Sequence, residues 1–204
     1  MYHVPYFKTI EQTRVIQFMR EHPFVTIVGT DATGSCVASH VPVLIEERDN
    51  KLFLSGHFMR KQEHTIAFEK NPEVLAIFNG PNCYVSAQWY DPQNVASTWN
   101  YMTVHARGRI HFLDEQALLH FLDKLTDHFE GRKDSPASMS AMDPQYVHQM
   151  AKAIVAFEME LFEVEHVFKL SQNKPEAVRE NIIAHLEKGD ASAQAVAKAM
   201  RQIQ

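Results

Sequence analysis

Residues 78–108 read FNGPNCYVSAQWYDPQNVASTWNYMTVHARG, and both the fold and the function turn on them. Three Tyr, two Trp and a Phe stand among small hydroxyl and amide side chains, a mixture for which a core strand has no need. Trp and Tyr offer flat, polarisable faces to a planar ligand, and Ser86, Ser97, Thr98 and Asn100 can hydrogen-bond its polar edge. That is one reading, a ring-binding surface. The other is an aromatic cluster packed between two sheets or two subunits, where Trp and Tyr are equally at home, and composition alone leaves both open.

Turn residues and hydrophobic periodicity divide the rest of the chain. Residues 10–21 read as an amphipathic helix carrying Ile10, Val15, Ile16 and Met19, with Thr9 as N-cap and His22-Pro23 as its stop. Residues 24–29 are β-branched, 31–34 form a turn cluster, and 36–45 resume as a strand in which Pro42 marks an edge or a bulge. Arg48-Asp49-Asn50 then links to Leu52-Phe53-Leu54. Helix is expected over 60–70, strand over 74–78 and again over 84–86, a polar loop over 90–97 and a long strand over 102–113. Asp114 caps a helix whose Leu118, Phe121, Leu122, Leu125 and Phe129 recur at helical spacing as far as Gly131. Asp143-Pro144 opens a short helix, and 155–167 alternates as a strand with Phe162 out of phase. Beyond Pro175 the chain turns Ala-rich and carries no aromatic residue, which predicts two helices broken at Gly189-Asp190, lying on the surface or against a partner subunit. Hairpins separated by single helices, without βαβ alternation, favour an antiparallel barrel over a doubly wound sheet.

With 204 residues, 45% hydrophobic and 22% charged, the chain can bury a core of its own as one globular domain. No apolar run reaches the ~18–20 residues of a spanning helix. The N-terminus lacks the basic start and apolar core of a signal peptide, so a cytoplasmic protein away from the membrane is expected. Cys36 and Cys83 stand far apart and outside any metal-ligand spacing, which predicts buried thiols and no metal site. The twelve His form no HExxH or His-x-His pattern and read as hydrogen-bonded or partly exposed residues. A net charge of −5 argues against a broad phosphate-binding face; with no helix-turn-helix pattern or basic recognition helix in the sequence, direct DNA binding is unsupported. Neither a nucleophile elbow nor a pair of close carboxylates is visible, so no catalytic residue is assigned.

In order and spacing, Gly80-Pro81, Tyr84-Val85-Ser86, Trp89-Tyr90, Thr98-Trp99-Asn100-Tyr101 and Val104-His105 resemble the PaiB family, FMN-binding negative transcriptional regulators with a split β-barrel like that of flavin reductases and pyridoxamine phosphate oxidases. Met1-Tyr2 to Phe7, Pro23-Phe24, Ser39-His40-Val41-Pro42 and Gly56-His57-Phe58-Met59-Arg60 agree with it, and Lys169-Leu170-Ser171-Gln172-Asn173-Lys174 is the most specific block. Departures exist: Ala87 and Ser97 stand where family members usually carry Pro, Gln62 where they carry Asn, and His166-Val167-Phe168 where a Gly usually precedes the last block. The resemblance implies a mainly β (α+β) antiparallel split β-barrel of the FMN-binding type over residues 1–168. Residues 169–204 would be a helical extension packed on that barrel. It also implies a homodimer with the flavin in the subunit cleft.

FMN joins a phosphate dianion to a flat tricyclic ring. Gly56 to Lys61 fall where a strand ends and a helix begins, so free N–H groups, the helix dipole, Arg60 and Lys61 suit the phosphate, with Ser39, His40 and His57 beside them. At the ring end Ser86, Trp89, Trp99, Asn100 and Tyr101 supply stacking faces and hydrogen bonds. Lys169 to Lys174 either lock the tail to the barrel or reach an anionic ligand through Lys169 or Lys174. Two alternatives stand beside the flavin regulator: an FMN-dependent oxidoreductase of a small molecule, with His57 or His105 as proton donor, and a haem-binding barrel with a neutral His as axial ligand.

Overall fold

A computed structural model describes residues 1–8, 11–90, 95–132 and 135–203. Seven strands form one antiparallel sheet in the order β2-β1-β5-β6-β7-β4-β3. They are β1 (Phe24–Thr30), β2 (Cys36–Pro42), β3 (Leu44–Arg48), β4 (Lys51–Met59), β5 (Glu73–Val85), β6 (Thr98–Phe112) and β7 (Ile154–Lys169). The helices are α1 (Gln12–Glu21), α2 (Glu63–Lys70), α3 (Glu115–Glu130), α4 (Pro144–Ala151), α5 (Glu176–Leu186) and α6 (Ala191–Gln202). The chain divides into two compact units, the first holding Met1–His22, Phe78–His105 and Glu165–Gln204, the second Pro23–Ile77 and Ala106–Val164.

In the second unit, β1 and β2 pair from Phe24↔Pro42 to Thr30↔Cys36 around a turn that Asp31 closes. Its Oδ1 accepts from the Thr33 hydroxyl at 2.7 Å and from the amides of Thr33 and Ser35 at 2.8 and 2.9 Å, and these bonds, led by the hydroxyl's, lower the Asp31 pKa. Pro42 ends an outer strand of the sheet, where its missing N–H costs no ladder bond, so the strand expected over 36–45 is divided there. Asp49 and Asn50, at φ 50 and 61, turn β3 into β4 as a two-residue hairpin loop. Along β4 burial alternates, placing Leu52, Leu54 and Phe58 inside. Gly56 lies so close to Phe157 that a Cβ there would come within 2.5 Å of the ring, itself stacked on Phe58 at 4.4 Å. Asp114 caps α3 by accepting from the Ala117 amide at 2.8 Å, and Leu118 and Phe121 bury against Ala151 and Ala156. Phe129, expected on the same apolar face, is exposed, and so is Phe162. Cys36, expected to be buried, is exposed on the outer strand β2.

In the first unit, α1 buries Val15, Ile16, Phe18 and Met19, with Phe18 against Phe168 at 5.0 Å. Thr9 and Ile10, the expected N-cap and first helical residue, lie outside the described residues. Helices α5 and α6 pack on each other and bury Ile182, Ile183, Leu186, Val196 and Met200. Ser192 Oγ donates to the Asn82 carbonyl at 2.6 Å and Asn181 Nδ2 to that of Trp89 at 2.7 Å. The tail therefore packs on its own chain. Both helices keep an exposed face as well, so they lie on the surface of that unit. Cys83 is buried here, its thiol pushed up to about 11 by burial and then by Asp190.

Candidate functional site

The residues expected to hold a phosphate all fall in the second unit. Ser39 and His40 lie on β2, opposite Ile27 and Thr26 of β1, and His40 stacks on Phe24 at 6.4 Å. His57 lies on β4 opposite Ala156 and beside Phe121. Burial lowers its pKa and keeps the ring neutral, and its Nδ1 has no hydrogen-bond partner among the described residues. Helix α2 begins at Glu63, later than the expected Arg60, so Arg60 and Lys61 occupy the turn before it. Arg60 is tied to the start of β7, its amide donating to the Ala153 carbonyl and its guanidinium to that of Ile154, each at 2.8 Å. Both Arg60 and Lys61 are exposed, and Gln62, the N-cap of α2, makes no capping bond with its side chain. An uncapped helix start with exposed cations before it is a place where amide donors and positive charge can meet an anion.

The residues expected to face a ring all fall in the first unit. Strand β6 begins at Thr98, earlier than the expected Met102, so Trp99, Asn100 and Tyr101 lie within it and alternate from face to face. Trp99 is 54% exposed and meets the edge of Tyr84, 50% exposed, at 6.2 Å. Asn100 goes the other way and is fully buried, its Nδ2 donating to Ser171 Oγ at 3.0 Å and lying 3.5 Å from Met200 Sδ. It anchors the chain after β7. Tyr101 is half-buried, and burial raises its phenol pKa, with Tyr2 adding to the effect.

Ser86 and Trp89 are committed within the same unit. Ser86 caps the 3₁₀ turn Ala87–Trp89, accepting from the Gln88 amide at 3.2 Å, and Trp89 stacks on His185 of α5 at 5.1 Å. The two departures at the usual Pro positions are joined to each other, since the Ala87 amide donates to Ser97 Oγ at 2.9 Å, a bond Pro at 87 could not make. Residues 91–94 of the expected polar loop lie outside the described residues.

A second cluster of polar groups surrounds the chain after β7. Lys169 Nζ donates to Thr98 Oγ1, and Lys174 Nζ lies 5.2 Å from the centre of the Tyr90 ring. Gln172 accepts from the Leu170 amide at 2.7 Å and donates to the Phe168 carbonyl. Ser171 sits at φ 60, in the left-handed region a β-substituted residue seldom adopts. The sequence marked this block as specific but held no hint that Asn100 and Thr98 belong with it, because they stand 71 residues from their partners Ser171 and Lys169. Among the described residues, no group of three or more His, Cys, Asp or Glu could hold a metal ion, and no helix is long and apolar enough to cross a membrane.

Residues 1–163 match the family model described as "Putative FMN-binding domain". The chain belongs to this family. It is also 32% identical, over 187 residues, to protease synthase and sporulation protein PAI 2 of Bacillus subtilis (strain 168), covering 92% of this chain and 89% of that one, so the PaiB resemblance read from the sequence holds along nearly its whole length. Two solved structures share the fold. One is the flavocytochrome Anf3 from Azotobacter vinelandii, with TM-score 0.60 and 13% identity over 82% of this chain and 72% of that chain. The other is the FAD and heme binding protein from Mycobacterium smegmatis, with TM-score 0.59 and 15% identity over 86% and 78%. The architecture is thus the antiparallel split barrel with peripheral helices that the sequence led us to expect. The exposed Tyr84–Trp99 pair lies in the first unit and the exposed Arg60 and Lys61 in the second.

Proposed function

We propose that this protein binds FMN as a homodimer and acts as a flavin-responsive regulator of the PaiB type, with the flavin in the cleft between subunits. The observation that carries this reading is the exposed Tyr84–Trp99 pair, two large rings in contact with each other in a chain of an FMN-binding family. Trp99 and Tyr84 would face the ring system, and Arg60, Lys61 and the amides at the start of α2 would hold the phosphate, with Ser39, His40 and His57 beside them. When bound, the flavin supplies the redox chemistry, and the chain's part is to bind and orient it. With 25 acidic against 20 basic side chains, regulation works through a partner or a ligand in preference to direct grip on DNA. Residues 169–204 serve as an extension of the barrel domain.

Fluorescence titration with FMN tests the site. Arg60→Ala and Lys61→Ala should each weaken binding by about 1.5–3 kcal/mol, the range for a hydrogen bond to a charged group. Unchanged affinity in both variants would move the phosphate elsewhere. A second reading is favoured by His57, whose neutral ring and unpaired Nδ1 suit an axial ligand, and by two neighbours whose names include haem or a flavocytochrome. The absorption spectrum separates the two, a flavin doublet supporting the first and a Soret band the second; oxidation of added reduced nicotinamide would instead make the protein an oxidoreductase.

A further inference from the structure

The lysines of the block after β7 border a pocket of about 250 Å³ within the first unit, whose walls include Ser97, Thr98, Tyr90 and Phe7. Strand alternation turns Thr98 and Asn100 toward this pocket and leaves Trp99 out of it, so it is not the face on which the Tyr84–Trp99 pair lies. Its chemistry is one-sided. Lys169 spends one of three N–H donors on Thr98, Lys174 rests over the Tyr90 ring, and no carboxylate pairs with either ammonium among the described residues. Tyr90 and Phe7 are both buried and give the pocket an aromatic side.

Two half-buried cations on the wall of one pocket are unfavourable neighbours unless something neutralises them. Burial first, and Lys174 second, lower the Lys169 pKa. The backbone is held in this arrangement at some cost. Ser171 keeps its left-handed φ of 60, secured by the buried bond to Asn100, and its carbonyl accepts from the Lys174 amide at 3.1 Å, which closes a turn between the two lysines. Backbone held in a sparsely populated conformation by a buried polar anchor is the arrangement expected where side chains must be placed for a ligand.

We propose that this pocket binds a small organic anion, taking its carboxylate or phosphate on Lys169, Lys174 and the hydroxyls of Thr98 and Ser97 and its apolar body against Tyr90 and Phe7, at a site separate from the flavin. The proposal does not depend on flavin binding. Calorimetric titration of the full chain with inorganic phosphate and, separately, with benzoate, at constant ionic strength in chloride, tests it and tells the two anion classes apart. At least one probe should bind saturably. Lys169→Met and Lys174→Met keep the aliphatic stems and should each weaken that binding about tenfold to a hundredfold, the loss of a charge-assisted hydrogen bond, while Lys169→Arg retains it. Should Lys169→Met fail to fold, Lys174→Met and Lys169→Arg still decide. FMN affinity should be unchanged in every folded variant.

Saturable binding of neither probe would overturn the proposal, and so would binding that survives both Met substitutions. Displacement of the probe by FMN, with FMN affinity lost in the Met variants, would make the pocket part of the flavin site and overturn its separateness. Failure of the flavin reading is a different result: a protein with no flavin spectrum whose anion titration is intact.

Discussion

Trp99 and Asn100 are neighbours with opposite tasks. A strand sends successive side chains to opposite faces, so the indole lies exposed while the amide is sealed against Ser171 and Met200. The sequence placed both on the edge of a ligand pocket, because a flat ring beside an amide suits a flavin and the start of β6 was read four residues late. Once Thr98 opens the strand, the two must part. Trp99→Leu removes a stacking plane from an exposed position, so FMN affinity should fall by about 0.5–1.5 kcal/mol while unfolding in urea is unaltered. Asn100→Ala should do the reverse, costing about 1–3 kcal/mol of unfolding free energy by stripping a buried hydroxyl of its amide partner. If Trp99→Leu destabilises the fold and leaves FMN affinity intact, the aromatic segment is packing and the ring-binding reading fails.

At the scale of elements, the parts that were legible are those in which local chemistry decides. Asp31 to Gly34, the Asp114 and Asp143 caps, the Gly131 stop and the break before α6 each rest on a side chain bonding its own backbone or on a positive φ, and each stands where it was read. What was not legible depends on distant partners. The strands expected separately over 74–78 and 84–86 are one, β5 running through Gly80-Pro81, and a Cβ at Gly80 would come within 2.5 Å of Phe18 in α1. The turn holding Arg60 and Lys61 reads as helix because nothing in the sequence says that Arg60 bonds the start of β7. Gly56 belongs to the same class: its block suggested an anion site, but the glycine itself answers to the Phe157 ring on the neighbouring strand. Phe157 is held by its stack on Phe58 and cannot yield cheaply. Gly56→Ala should therefore cost about 1–3 kcal/mol, the range for overpacking a close-packed core, with a lower urea midpoint as the readout. An unchanged midpoint would show that β4 and β7 can move apart without cost, and the packing argument would fall.

At the scale of the whole molecule, the question is what covers the aromatic side chains that the chain leaves bare. Tyr2, Tyr6, Tyr84 and Trp99 belong to the first unit, and each is at least half exposed. Single exposed apolar residues need no explanation, but a set of Tyr and Trp is the composition enriched where proteins meet each other. A second copy of the chain is the partner that needs no further component, and closed two-fold pairing is the commonest solution for soluble chains. Sedimentation velocity should accordingly find a dimer at micromolar concentration. Tyr6→Glu, at an exposed ring given no part in holding the flavin, should shift it toward monomer, because a carboxylate in a desolvated interface without a partner is strongly unfavourable. If the flavin lies in the cleft, FMN affinity must fall with the dimer and recover as protein concentration rises, since mass action restores the pair. That concentration dependence separates a shared site from a merely neighbouring one: a wild-type monomer at micromolar concentration, or a Tyr6→Glu monomer that still binds FMN with full affinity, would assign the flavin to a single chain.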